Sequence, residues 1–223
     1  MQAEFWQQRW SSNQIGFHLS QTNPNLPGYW PLEAFAPGDV VFVPMCGKSL
    51  DLLWFAEQGL QVLAVELVET AVLAFFHEND LPYTREEKPA FSEFVSGNIR
   101  VLCGDFFRLT AADLAGCRGF YDRAALVAWS PEGRTRYVEH LLAILPAGCR
   151  GLMLILDYPQ EQMQGPPFAV SMDDMQQLLG ETCEISLLGS RDILQHEPGF
   201  RERGVTRMQE HVCEVIKGGA EKP

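Results

Sequence analysis

The stretch Val40 to Glu66, VVFVPMCGKSLDLLWFAEQGLQVLAVE, leaves this chain few folds to adopt. A Val-rich run, Val40 to Met45, breaks at Cys46-Gly47-Lys48-Ser49, resumes with helical spacing from Leu50, and closes in a second apolar run ending at Glu66. That order is strand, tight loop, helix, strand. A continuous apolar run bounded by turn residues suits a strand buried on both faces of a parallel sheet, and a parallel neighbour needs a helical crossover. The loop then sits at the carboxyl end of the first strand, where open α/β sheets bind ligands. Glu66 follows Gly47 by 19 residues, close to the interval of roughly 20 between a glycine loop and an acid that accepts from ribose hydroxyls. The first expectation is a nucleoside-containing ligand. The alternative is that Glu66 ends its strand in solvent and Gly47 only turns the chain.

Two phosphate loops are excluded. Gly47-Lys48-Ser49 has the tail of a P-loop, but the pattern requires glycine where Phe42 stands. The glycine pair that admits a dinucleotide pyrophosphate to the backbone is also absent. A nucleoside without a diphosphate remains.

The chain of 223 residues, with 46% hydrophobic content, is long enough to bury a core without disulfides or metals. No apolar run approaches the roughly 20 residues that span a bilayer, and Met1-Gln-Ala-Glu4 lacks the basic start of a secretion signal. A cytoplasmic protein is expected. The cysteines, Cys46, Cys103, Cys117, Cys149, Cys183 and Cys213, are scattered with no C-x-x-C pair, so reduced thiols acting as small apolar residues are expected, and no metal. A formal net charge of −12 argues against nucleic acid, whose phosphates are bound by Lys and Arg. A small neutral or cationic substrate fits better, and nothing suggests an assembly beyond a monomer.

In chain order, Ala3 to Ser12 is expected to be an amphipathic helix carrying Phe5, Trp6 and Trp10, followed by an irregular Pro- and Asn-rich passage, Asn23 to Pro31. This arm either packs on the core or folds as a lid over Gly47, with Trp10 and Phe17 lining a pocket; aromatic faces suit a heterocycle and attract a cation such as a sulfonium. Glu69 to Glu78 reads as a helix and Asn79 to Gly97 as an irregular excursion. Ile99 to Cys103 reads as a strand ending in Gly104-Asp105-Phe106-Phe107. There Asp105 either accepts from an adenine amine beside a stacking ring or caps a turn.

Phe120 to Leu126 reads as the next strand and its exit, with Asp122 and Arg123 in the cleft. Pro131 starts a helix with Tyr137, Val138, Leu141 and Leu145 on its core face, and Gly151 to Leu156 is a strand. Asp157 to Val170 is irregular, Ser171 and Asp174 form a capping box for a helix to Leu179, and two weaker strands lie near Glu184 to Leu188 and Val205 to Val215. The pattern is that of one domain over residues 1–223, α/β and doubly wound, with an antiparallel edge.

The pieces Phe5-Trp6-x-x-x-Trp10, Ile15-Gly-Phe-His18, Val43-Pro-x-Cys-Gly-Lys-Ser-x-Asp51, Val65-Glu66, Cys103-Gly-Asp-Phe-Phe107, Tyr121-Asp-Arg-Ala-Ala-Leu126, Leu145-Pro-Ala-Gly148 and Gly165-Pro-Pro-Phe168 together resemble bacterial thiopurine S-methyltransferases. The resemblance implies the Rossmann-like class I fold of S-adenosylmethionine-dependent methyltransferases, with a mostly parallel seven-stranded sheet and one antiparallel edge strand. Residues 1–31 would be an arm over the cofactor and substrate cleft. Carried over by position, cofactor contacts fall on Trp10, Met45, Glu66, Asp105, Phe106 and Arg123, and substrate contacts on Phe17 and, near a family arginine, Arg203. Met45 stands where leucine is frequent in the family, and a backbone or apolar contact survives that change.

The implied reaction moves a methyl group from S-adenosyl-L-methionine to the sulfur of small aromatic or heterocyclic thiols such as thiopurines, and the likeness extends to selenium and tellurium acceptors. In-line transfer from a sulfonium to a thiolate needs alignment and exclusion of water more than a strong base, and no catalytic residue is assigned. Arg123 or Arg203 could favour the thiolate by charge, or Arg123 could pair with Asp122. His18 and Cys46 read as packing residues, and Lys48 as facing solvent rather than a cofactor carboxylate. Asp122-Arg-Ala-Ala125 replaces the Asp/Asn-Pro-Pro-Tyr/Phe turn of many base-amine methyltransferases, which favours sulfur as the acceptor. The rival functions are a nucleoside-binding domain without turnover and a nicotinamide oxidoreductase.

Overall fold

A computed structural model describes residues 3–219, which group into two compact units dividing at Phe120 and Tyr121, inside a strand.

The first unit runs α1 (Ala3–Ser11), α2 (Asn25–Tyr29), β1 (Val40–Val43), α3 (Asp51–Glu57), β2 (Gln61–Glu66), α4 (Glu69–Glu78), β3 (Thr84–Glu87), β4 (Ser92–Ser96), β5 (Ile99–Cys103) and the start of β6 (Cys117–Arg123). Its strands lie in the order β3-β4-β5-β2-β1-β6. The Val-rich runs pair in parallel, Phe42 beside Leu63 and Val43 beside Ala64, and β2 pairs in parallel with β5 as far as Glu66 beside Cys103. Parallel pairing in this register sends the loops after Val43, Glu66 and Cys103 out at one edge. Below that edge α3 buries Leu52 and Phe55, and α4 buries Ala71, Val72, Phe75 and Phe76. Each of the Val, Leu and Phe side chains among these contributes about 1.5–3 kcal/mol by leaving water.

The second unit continues β6 and adds α5 (Pro131–Ile144), β7 (Arg150–Asp157), α6 (Met172–Leu179), β8 (Cys183–Asp192), α7 (Pro198–Glu202) and β9 (Gln209–Lys217). Its β9 lies between β7 and β8, antiparallel to both. In α5, Ser130 caps the first turn, Pro131 opens it, and Tyr137, Val138, Leu141 and Ile144 face the core. The capping box expected at Ser171 and Asp174 is present. A separate cluster of Tyr158, Met163, Ile193, Val205 and Met208 packs together, with Leu156, Ala169, Leu194 and Phe200 against it.

The structure corrects the reading in four places. Nine strands are present among the described residues where seven were expected, and antiparallel pairing occurs at both ends of the strand order rather than at one edge strand. The additional pair, β3 and β4, lies in the segment taken as irregular. Its signal is weak because β3, Thr84-Arg-Glu-Glu87, is exposed throughout and shows no apolar alternation; charged residues on an outer strand guard against pairing with other chains. Asn23 to Pro31 was expected to be irregular, yet α2 forms there, with the Asn23 carboxamide accepting from Asn25 N–H at 2.9 Å and Leu26 fully buried. Finally, the first of the two weaker strands, expected near Glu184 to Leu188, runs on to Asp192 as β8, and α7 forms before the second.

Candidate functional site

The loop after β1 carries two left-handed residues, Met45 at φ 45° and Gly47 at φ 55°. For Met45 that conformation costs roughly 1–2 kcal/mol. Glycine adopts it freely, and Gly47 has a second reason to lack a side chain: a Cβ there would lie 3.0 Å from Trp10 Cζ2. The indole of the α1 arm therefore rests on the loop. Phe17 meets both Trp10 and Trp6 edge to face at 5.7 Å. The arm is tied down again where Asn23 N–H donates to the buried Asp51 carboxylate at 2.8 Å. Sequence reasoning gave Asp51 no part in holding the arm; the available signal was an acid in the first turn of the helix directly after the loop.

Glu66, at the end of β2, is 6% exposed. Its Oε2 accepts from Gly47 N–H at 2.9 Å and its Oε1 from Val68 N–H at 2.8 Å. Burial pushes its pKa above the ordinary glutamate value, while these N–H groups and that of Leu67 pull it back. A carboxylate has about four lone-pair sites, more than these N–H groups occupy, so acceptor capacity remains. Glu66 and Gly47 are thus in direct contact across 19 residues of chain. A groove of about 510 Å³, of small-ligand size, opens between α1 and the start of α4, with Gln7, Ser11, Val68 and Thr70 on its walls.

On the neighbouring strand, Gly104 N–H donates to Glu66 O at 2.8 Å, which brings the turn after β5 beside Glu66. There Asp105 is exposed and caps a short helical turn, its Oδ1 accepting from Phe107 N–H at 3.0 Å. The capping role considered for Asp105 is thus present. Phe106 is buried and stacks on Phe42 at 6.5 Å.

Lys48 departs from the solvent-facing reading. Its ammonium lies 2.7 Å from Glu78, and its side chain is 13% exposed. Cys46 is buried in the loop, its N–H bonded to Val65 O. Burial, then the charge of Glu66, push its thiol well above the ordinary value, which suits packing and not nucleophilic attack. All six cysteines are free thiols. His18 closes a turn through its N–H to Ile15 O.

In the second unit, Asp122 is fully buried; it accepts from Leu126 N–H at 2.9 Å and from the Tyr137 hydroxyl at 2.7 Å. Arg123, half-buried, follows it and ends β6. Arg203, exposed, points Nη1 at Met163 Sδ, 3.7 Å away. Sequence reasoning placed Asp122 in a cleft and Tyr137 only in a core. It missed their contact because a 15-residue separation carries no local signal.

The family model described as thiopurine S-methyltransferase (TPMT) matches residues 1–218. The chain belongs to the thiopurine S-methyltransferase family. It is 50% identical over 212 residues to the thiopurine S-methyltransferase of Azotobacter vinelandii, covering 95% of this chain and 97% of that one. It is 48% identical over 220 residues to that of Pseudomonas fluorescens Pf-5, covering 99% of each. Among solved structures, a SAM-dependent methyltransferase from Methanosarcina mazei aligns with a TM-score of 0.62 at 12% identity, over 90% of this chain and all of that one. A Burkholderia thailandensis 1,6-didemethyltoxoflavin-N1-methyltransferase with bound S-adenosylhomocysteine aligns with a TM-score of 0.58 at 16% identity, over 97% of this chain and 87% of that one. These two likenesses carry the fold. As a member of the thiopurine S-methyltransferase family the chain is a methyltransferase, and its methyl donor is S-adenosyl-L-methionine.

The residues of the first unit fit that donor. A buried carboxylate with spare acceptor sites suits vicinal hydroxyls, aromatic faces at Trp10 and Phe17 suit a sulfonium, and the nearby Lys48 ammonium is engaged by Glu78, as suits a nucleoside that carries no phosphate. Among the described residues no helix is long and apolar enough to cross a membrane.

Proposed function

We propose that the enzyme methylates the sulfur of small aromatic or heterocyclic thiols, thiopurines among them, with selenium or tellurium compounds as further acceptors. The observation that carries this reading is the Glu66 carboxylate held between the Gly47 and Val68 N–H groups, in a chain of the thiopurine S-methyltransferase family. S-adenosyl-L-methionine, when bound, supplies an electrophilic methyl on a sulfonium. Glu66 accepts its ribose hydroxyls, Asp105 its adenine amine, and the backbones at Met45 and Phe106 line the nucleoside. Trp10 covers the loop and excludes water, which keeps the electrostatics of the site strong.

Phe17 and Arg203 take the acceptor side in this proposal. Arg123, given to the cofactor by the resemblance, also favours the acceptor as thiolate through its fixed positive charge. No general base is required, because heterocyclic thiols ionise more readily than an ordinary cysteine near ~8.5. The proposal includes residues 1–31 as the arm over the cleft, one functional domain, and a cytoplasmic monomer that uses no nucleic acid; the net charge of −12 supports the last point. Transfer of a labelled methyl group from S-adenosyl-L-methionine to 6-mercaptopurine, with an aromatic amine as the contrasting acceptor, tests it. Label on the thiol alone is expected, and label on the amine alone overturns the sulfur assignment.

A further inference from the structure

The geometry points to Tyr137, acting through the Asp122 carboxylate, as a positioning residue for Arg123. This rests on the reading that Arg123 serves the acceptor thiol.

Asp122 and Tyr137 are both fully buried, and the phenol donates to the carboxylate at 2.7 Å. A buried carboxylate is a poor way to gain stability, since apolar residues of the same volume commonly do as well. What apolar residues cannot do is hold backbone N–H groups. Asp122 accepts from Leu126 N–H at 2.9 Å and also bonds the Ala125 N–H. The chain between these anchors is Arg123 and Ala124, and Ala124 lies at φ 61°, a left-handed conformation that a residue with a Cβ holds only when its surroundings impose it. The carboxylate therefore closes the turn Asp122–Leu126, and Arg123 extends from its second position.

Tyr137 fixes the carboxylate in turn. Its ring stacks on Trp129 at 5.8 Å with planes 19° apart, so the hydroxyl has little freedom to leave Asp122. One turn earlier on α5, Arg134 donates to Ala169 O at 2.7 Å, and Phe168 N–H donates to Val127 O at 2.6 Å. The turn after β6 is thus held on one side by α5 and on the other by the segment before α6.

The test is a double-mutant cycle on the full chain with 6-mercaptopurine as acceptor. Tyr137→Phe keeps the ring and removes only the hydroxyl. It is expected to lower kcat about 10-fold, the equivalent of one charge-assisted hydrogen bond. The acid limb of the kcat profile should move to higher pH, because a misplaced guanidinium stabilises the thiolate less. In an Arg123→Ala background the same substitution should cost nothing further, since residues acting through one another are not additive. Additive losses, an unmoved pH limb, or wild-type kcat in either single variant would overturn the inference while leaving the thiol reading intact. Absence of any transfer by the wild-type enzyme would overturn the thiol reading and the inference with it.

Discussion

The Glu66 carboxylate accepts the Gly47 N–H at 2.9 Å across 19 residues of chain. One hydrogen bond thus joins the glycine loop after the first parallel strand to the acid that ends the second. Loop and acid are parts of one cradle, and a change at Glu66 acts on the loop as well as on a ligand.

Replacing Glu66 with Ala should weaken S-adenosylhomocysteine binding by about 1.5–3 kcal/mol, the range for hydrogen bonds to a charged acceptor, which is roughly 10- to 150-fold in Kd. The melting midpoint should fall too, because the Gly47 and Val68 N–H groups lose their acceptor. Calorimetry and thermal melting read the two effects, and unchanged affinity would remove Glu66 from the cofactor site.

Gly47→Ala should destabilise the protein by more than the roughly 1–2 kcal/mol of a left-handed alanine, since the new methyl lies 3.0 Å from the Trp10 ring. A shift in tryptophan emission should accompany the lower melting midpoint. An unshifted spectrum at wild-type stability would mean that Trp10 does not rest on the loop in solution.

Phe17→Ala should raise KM for the thiol more than it raises Kd for S-adenosylhomocysteine. The lost edge contacts with Trp6 and Trp10 are worth about 0.5–1.5 kcal/mol each, so some loosening of the arm is expected. Equal losses in substrate and cofactor binding, with a lowered melting midpoint, would assign Phe17 to folding alone.

Lys48→Ala is expected to leave cofactor affinity within about 2-fold and to cost at most about 1 kcal/mol of stability, the ceiling for a solvent-screened ion pair. The reason is that the ammonium is engaged by Glu78 at 2.7 Å. A large loss of affinity would show instead that Lys48 leaves Glu78 for the ligand.

Asp122 makes a pH-dependent contribution whose sign follows from its environment. Burial pushes its pKa from 3.8 up to about 6, against the hydrogen bonds from Tyr137, Leu126 and Ala125. The folded state holds this proton more tightly than the unfolded state, so the contribution is fully present below pH 3.8 and is lost as pH rises to about 6. The stability difference between wild type and Asp122→Asn should therefore change by about 3 kcal/mol across that window. Chemical denaturation at several pH values measures it, and a difference that stays flat from pH 4 to pH 7 would contradict the assignment.

The sequence by itself determined the central parallel strands, the loop between them, the acid at Glu66 and the helices starting at Glu69, Pro131 and Ser171. Apolar runs, periodicity and capping residues act over a few positions, so they can be read without the fold. The scattered motifs led correctly to the family for the same reason. Tertiary structure decided what depends on residues far apart. It made a strand pair of the charged segment Thr84–Ser96, where pairing of β4 to β5 replaces any local preference. It gave Lys48 to Glu78, 30 residues away, set Trp10 on Gly47, and turned Tyr137 from a core residue into the donor that holds Asp122. Such contacts form only once the sheet has fixed both partners, so no window of the chain contains their signal.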